Sequence, residues 1–115
     1  VGKQDVEYIP VEQAFLLVYA AYGSGTILRI STLGAPVQIF ADGRKFQADH
    51  SSRESARWQE ALDMLCKRRW VKPTGQKGQV FEVTGTGYKE AEYLKAEMKI
   101  DTNTEPLVEI KKHYV

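Results

Sequence analysis

Cysteine is nearly missing from this chain: Cys66 is the only one in 115 residues. A lone thiol excludes an internal disulfide and a zinc cluster built on cysteines, and it suits a reducing, cytoplasmic setting. Long apolar runs are missing too. The longest, residues 14–22, is too short to span a bilayer, and no basic segment precedes it as in a signal peptide, so no membrane partner is expected. Net charge is small, at +1, which argues against nucleic-acid binding through overall charge and leaves room only for a local electrostatic footprint. Histidine is scarce. His50 and His113 lie far apart, with no carboxylate or cysteine at metal-ligand spacing, so neither a metal nor another cofactor is expected. The first residue is Val1 rather than Met, which raises the expectation of a piece cut from a longer chain.

What is present is a globular composition, 43% hydrophobic and 27% charged, in a length that fits one domain. Residues 1–9 read as a linker or the end of a preceding segment, residues 10–99 as the domain, and residues 100–115 as a tail. Pro10 suits the first turn of a helix over residues 11–22, apolar on most of its faces and therefore buried. Gly23-Ser24-Gly25 ends it. Residues 26–33 read as a strand, with Leu28 and Ile30 on the core face and Arg29 and Ser31 opposite. Residues 37–41 form a second apolar run. Asp42-Gly43 then predicts a tight hairpin into a short third strand with Phe46 pointing inward.

The clearest element begins at Ser51. Ser51 and Glu54 have the spacing of a capping box. Trp58, Ala61, Leu62, Leu65 and Cys66 then recur at helical spacing as one apolar face, while Arg53, Arg57, Glu60, Met64 and Lys67 lie opposite. Lys67-Arg68-Arg69 closes the helix, where cations complement the dipole. Residues 70–73 read as a strand, 74–78 as a turn and 79–83 as a returning strand. Thr84 caps a further helix over residues 85–98, whose core face is Tyr88, Ala91, Leu94 and Met98. The run Leu107-Val108-Glu109-Ile110 reads as a strand or an ordered tail.

A helix ending in "ALDMLCKRRWVKP", the turn "TGQKG" and the exit "VFEVTGTGYKEAEYL" resemble the second half of a winged-helix domain. In that family a helix leads into a strand, a wing turn and a second strand, which leaves through a hydrophobic-Thr-x-x-Gly pattern into the next helix. Val83-Thr84-Gly85-Thr86-Gly87 matches this pattern. The resemblance covers about residues 51–94. Upstream, residues 26–47 read as a β-hairpin where the family has a helix. The implied fold is an α+β, winged-helix-like single domain of helix, β-hairpin, amphipathic helix, wing hairpin, helix and tail. Its expected core comprises Trp58, Leu62, Leu65, Phe81, Val83, Tyr88 and Leu94 with Phe15, Val18, Leu28 and Ile30.

The resemblance implies nucleic-acid binding, most naturally regulatory DNA binding, with one helix in the major groove and the wing on the backbone. The matching positions are Arg53, Arg57, Met64 and Lys67 on the helix and Lys72, Gln76 and Lys77 at the wing, and Arg68 at the helix end joins the expected nucleic-acid-binding set. Residues 66–81 hold five basic side chains and no acidic one, the local chemistry that neutralises phosphates. Against this, alternating charges on a helix usually mark a solvated face, and Glu60 would repel phosphate. Trp58 and Trp70 read as core anchors rather than stacking platforms. Tyr19, Tyr22, Tyr88 and Tyr93 read as core and its rim. Cys66 reads as buried and inert. Asp49-His50-Ser51 reads as a loop into a cap, because triads are set by geometry rather than adjacency. No arrangement suggests catalysis or a small-molecule substrate. The alternative function is a protein-interaction or homodimerising accessory domain of a larger bacterial protein, with residues 107–110 free to pair with a sheet edge.

Overall fold

The computed structural model of the protein describes residues 9–46, 51–75 and 79–113. Pro10 stands one position before the first helix, α1 (Val11–Ala21), whose residues from Gln13 to Ala20 are all buried. A helix apolar on every side becomes the centre of a domain rather than its surface. Tyr22 caps it, and the chain turns through Gly23 and Gly25 into β1 (Thr26–Ile30). A loop leads to β2 (Gln38–Ala41), which returns as β3 (Arg44–Lys45). Between them Asp42 and Gly43 both adopt positive φ, 55° and 70°, the geometry of the two-residue turn that their identities favour.

Ser51 caps α2 (Ser52–Lys67), its side chain accepting the Glu54 N–H at 3.1 Å. Arg69, with φ of 64°, redirects the chain into β4 (Val71–Thr74). β5 (Val80–Val83) returns antiparallel, and Thr84 caps α3 (Gly85–Met98) by accepting the Gly87 N–H at 3.0 Å. The C-terminal run, expected as a strand or an ordered tail, is ordered as a helix, α4 (Pro106–His113). Pro106 is suited to a first turn, Ile110 is buried against the core, and Glu109 pairs with Lys112 one turn later. Burial and helical pairing override the β propensity of Val108 and Ile110.

The five strands form one antiparallel sheet in the order β3-β2-β1-β5-β4, with β1 at its centre. Helices α1 and α2 pack on one face, and α3 and α4 pack against α1. The covered face presents Ile27, Ile39, Ala41, Val71, Phe81 and Val83, all buried. The expectation for β1 was therefore one residue out of phase. Ile27 enters the core, while Leu28 is half-buried and Ile30 exposed on the other face. Arg29 occupies the covered side, and its guanidinium lies 5.3 Å from the centre of the Phe81 ring. The strand also ends at Ile30, leaving Leu33 fully exposed in the following loop.

Between the layers Phe15, Tyr19, Phe46 and Trp58 form a continuous aromatic chain with centroid separations of 5.9, 5.5 and 5.3 Å. Trp58, Leu62, Leu65, Phe81, Val83, Leu94, Phe15 and Val18 are core residues as expected. Tyr88 is not. It is exposed, with its hydroxyl over Gly25, and the buried position is Gly87, packed against the Trp70 carbonyl. Tyr22 and Tyr93 are exposed as well, whereas Tyr19 is buried.

Candidate interaction surfaces

Helix α2 was expected to offer a basic face, and its burial pattern decides which cations can serve. Ser55, Trp58, Ala61, Leu62 and Leu65 point inward. The side directly opposite carries Arg53, Ala56, Glu60, Asp63 and Lys67, all exposed. Two cations and two carboxylates share that face, so it carries no net charge toward a phosphate backbone. Arg53 and Lys67 stand 14 residues apart, about 21 Å along the axis at 1.5 Å per residue.

Arg57 and Met64 lie on the flank facing α1. Arg57 donates from Nε to Glu12 at 2.5 Å and from Nη1 to Glu54 at 3.0 Å, and it is half-buried over Trp58. Arg68 donates from Nε to the buried Gln13 at 2.8 Å and lies over the Trp70 ring. These two arginines tie α2 to the start of α1. An ion pair this exposed contributes at most about 1 kcal/mol, yet a phosphate would have to compete with it. A shallow groove of about 350 Å³ runs along this flank, lined by Glu12, Gln13, Arg57, Glu60 and Met64 among others. Its polar lining is two carboxylates, an amide and a guanidinium.

Lys72 is exposed but belongs elsewhere. Val71 points into the covered side, so alternation sends Lys72 to the opposite face of the sheet, across from Glu82. Gln76 and Lys77 lie outside the described residues, as does His50. Of the seven expected site residues, the fold thus leaves Arg53 and Lys67 on one neutral helix face. It engages Arg57 and Arg68 internally and sends Lys72 to the far side. Arg69, exposed at the α2–β4 junction, is a further cation that the helical pattern did not single out. Cys66 is half-buried. Burial pushes its thiol pKa up, Asp63 adds to this and Arg29 partly opposes it, so the reactive thiolate is disfavoured.

The face of the sheet turned away from α1 and α2 was not anticipated. Strand register aligns Thr74, Val80, Leu28, Phe40 and Lys45 in one row across all five strands. Ile30 and Gln38 form the neighbouring row on one side, and Lys72, Glu82 and Thr26 on the other. Val80, Leu28 and Phe40 are half-buried, and Ile30 is 42% exposed. No helix among the described residues packs over this row. The signal was present in the sequence: placing Ile27 inward puts Leu28 and Ile30 outward on the same strand.

At the edge of the covered side, α4 and the loop before it are held by polar ties. The buried Tyr19 hydroxyl lies 2.7 Å from the Thr104 carbonyl and 3.0 Å from that of Asp101. Arg44 donates to the Thr102 and Thr104 carbonyls at 2.9 and 3.1 Å. Glu109, 2% exposed, accepts the Asp101 N–H at 3.1 Å and the Lys112 ammonium at 2.8 Å. Burial raises the Glu109 carboxyl, but these bonds and the Lys112 charge outweigh it and hold the pKa below the ordinary value. Burial pushes the Tyr19 phenol far up, with Glu109 adding to the effect. Among the described residues no group of three or more histidine, cysteine or carboxylate side chains comes together as a metal site, and no helix is long and apolar enough to cross a membrane. Set against protein-family models, curated proteins and solved structures, the chain matches none of them.

Proposed function

We propose that this domain is a winged-helix variant that docks on a protein partner and carries out no catalysis. Support for the variant comes from connectivity. Helix α2 leads into the β4–β5 hairpin, β5 pairs with β1, and Thr84 opens α3, while the β2–β3 hairpin stands where the family has a helix. The observation that carries the docking reading is the open sheet face, with Val80, Leu28, Phe40 and Ile30 grouped outside the core. Contiguous apolar surface outside the core marks interaction sites more often than isolated exposed residues do. The free Cys66 fits a cytoplasmic setting.

A second reading, DNA binding, is favoured by Arg53, Lys67, Arg69 and Lys72, which make no ion pair with a described residue and lie exposed on or near the helix and wing. The two readings separate in one titration. A labelled random-sequence duplex is mixed with the domain at low and at moderate salt. Docking on protein predicts no appreciable association at either. Affinity that falls steeply with salt, and that drops on Lys67→Glu and Arg69→Glu, overturns the docking reading in favour of phosphate contacts.

A further inference from the structure

The groove between α1 and α2 holds a polar group that the fold orients and leaves unused. Gln13 is 5% exposed, and its Oε1 accepts the Arg68 Nε–H at 2.8 Å. That bond fixes which way the amide points. The NH2 end is left for the groove that Gln13 lines, and it donates to no described residue. On the α2 wall Glu60 is exposed and makes no ion pair with a described residue. Arg57, one turn before it, gives its Nε to Glu12 and its Nη1 to Glu54. Arg53 and Lys67 each stand seven residues from Glu60, about 10 Å along the axis and beyond ion-pair reach. The lining thus carries two carboxylates against one guanidinium, and the surplus charge is negative. Pro10, Ala61 and Met64 supply its apolar part.

Whatever displaces water from this groove has to bring an acceptor to the Gln13 NH2 and a cation to Glu60. Neither a metal ion nor a simple amine brings both. A lysine within a peptide does: a backbone carbonyl accepts from Gln13, the methylene stem lies on Pro10, Ala61 and Met64, and the ammonium meets Glu60. Size points the same way. At about 350 Å³ and open along its length, the groove encloses too little of a free small molecule to hold it, whereas a side chain arrives anchored to the rest of its chain. We infer that this groove is a binding site for a lysine side chain of a protein partner, with Gln13 and Glu60 as its two polar contacts. The site is separate from the open sheet face, and its test neither assumes nor decides what meets that face.

The test uses blocked pentapeptides, alike except for lysine, norleucine or glutamate at the centre, each titrated into the isotope-labelled chain. The lysine peptide is expected to shift the backbone amides of Gln13, Glu60 and Met64 and the side-chain NH2 of Gln13. It should bind about fivefold tighter than the norleucine peptide, the worth of an exposed ion pair, with the glutamate peptide weakest. Glu60→Gln, an exposed change that removes only charge, should bring lysine down to the norleucine level while the Gln13 NH2 still shifts. Butylamine, the same ammonium without a backbone, should bind more weakly and leave that NH2 in place. Equal binding of lysine and norleucine peptides, or a Glu60→Gln chain that still prefers lysine, overturns the cation assignment. Butylamine binding as tightly as the lysine peptide overturns the peptide source in favour of a free amine. If no peptide shifts the groove amides at millimolar concentration, the site itself is overturned.

Discussion

Ile27 and Ile30 stand three residues apart on the central strand and share a side chain, yet one is fully buried and the other is 42% exposed. The same contrast runs through the whole sheet. On the covered side Ile27, Ile39, Phe81 and Val83 meet α1 and α2, and each apolar area they hide is area removed from water. On the open side Leu28, Phe40 and Val80 form an equally ordered cross-strand row that meets no helix among the described residues. The lesson is that alternation alone does not rank two apolar faces. What ranks them is where the helices pack.

The largest effect that sharpens this contrast is expected on the covered side. Ile27→Ala removes a side chain from a fully buried site, and deletions of this kind cost about 2–5 kcal/mol. Urea denaturation followed by far-ultraviolet dichroism measures it. A loss near that of an exposed alanine substitution would break the assignment of the two faces. A second core test is Gly87→Ala. A Cβ there would run into the Trp70 carbonyl oxygen and the Val83 side chain, and because backbone cannot step aside cheaply, a loss of about 1–3 kcal/mol is expected in the same assay.

How far these positions were legible depends on the range of the forces that set them. The cap at Ser51, the turn at Asp42-Gly43 and the Thr84 start of α3 are local hydrogen-bond chemistry, and the sequence reports them directly. The phase of β1 is not local. Arg29 looks like a solvent-facing residue, but its guanidinium reaches over Phe81 on the covered side, so a cation occupies an inward position and shifts the apparent alternation. The internal ties of two of the expected basic residues were hidden for the same reason. Arg57 finds Glu12 from 45 residues away and Arg68 finds Gln13 from 55, and no local pattern announces such ties. The last run misled in the opposite direction. Leu-Val-Glu-Ile favours a strand by composition, while the bonds of Glu109 and the burial of Ile110 belong to a docked helix.

Those Glu109 bonds give the covered layer a pH dependence. The carboxyl's folded pKa lies below its ordinary value of 4.5, so its stabilising contribution is fully present above that value and is lost as pH falls through the lower folded value. Asp101, lowered chiefly by the Asn103 N–H and also by the Thr104 hydroxyl, acts in the same direction. Amide exchange in α4 should therefore accelerate below about pH 4 before the sheet loses protection, and Glu109→Gln should flatten that acid limb. Simultaneous loss of α4 and the sheet would mean that the two are one cooperative unit.

The smallest expected effect is the most discriminating. Ile30→Thr keeps a β-branched side chain on the strand and removes only apolar surface that already faces solvent, so stability should change by less than about 0.5 kcal/mol. Leu28 and Phe40 beside it are half-buried, and the threonine hydroxyl stays hydrated at that position, so no buried polar group is created. On the docking reading, a protein partner on this face would meet the hydroxyl instead of apolar surface and bind more weakly. The substitution thus separates the two roles of one strand: an unchanged denaturation midpoint with reduced affinity for a protein partner assigns Ile30 to recognition. A midpoint loss comparable to that of Ile27→Ala assigns it to the core, and the open face then ceases to be a separate surface.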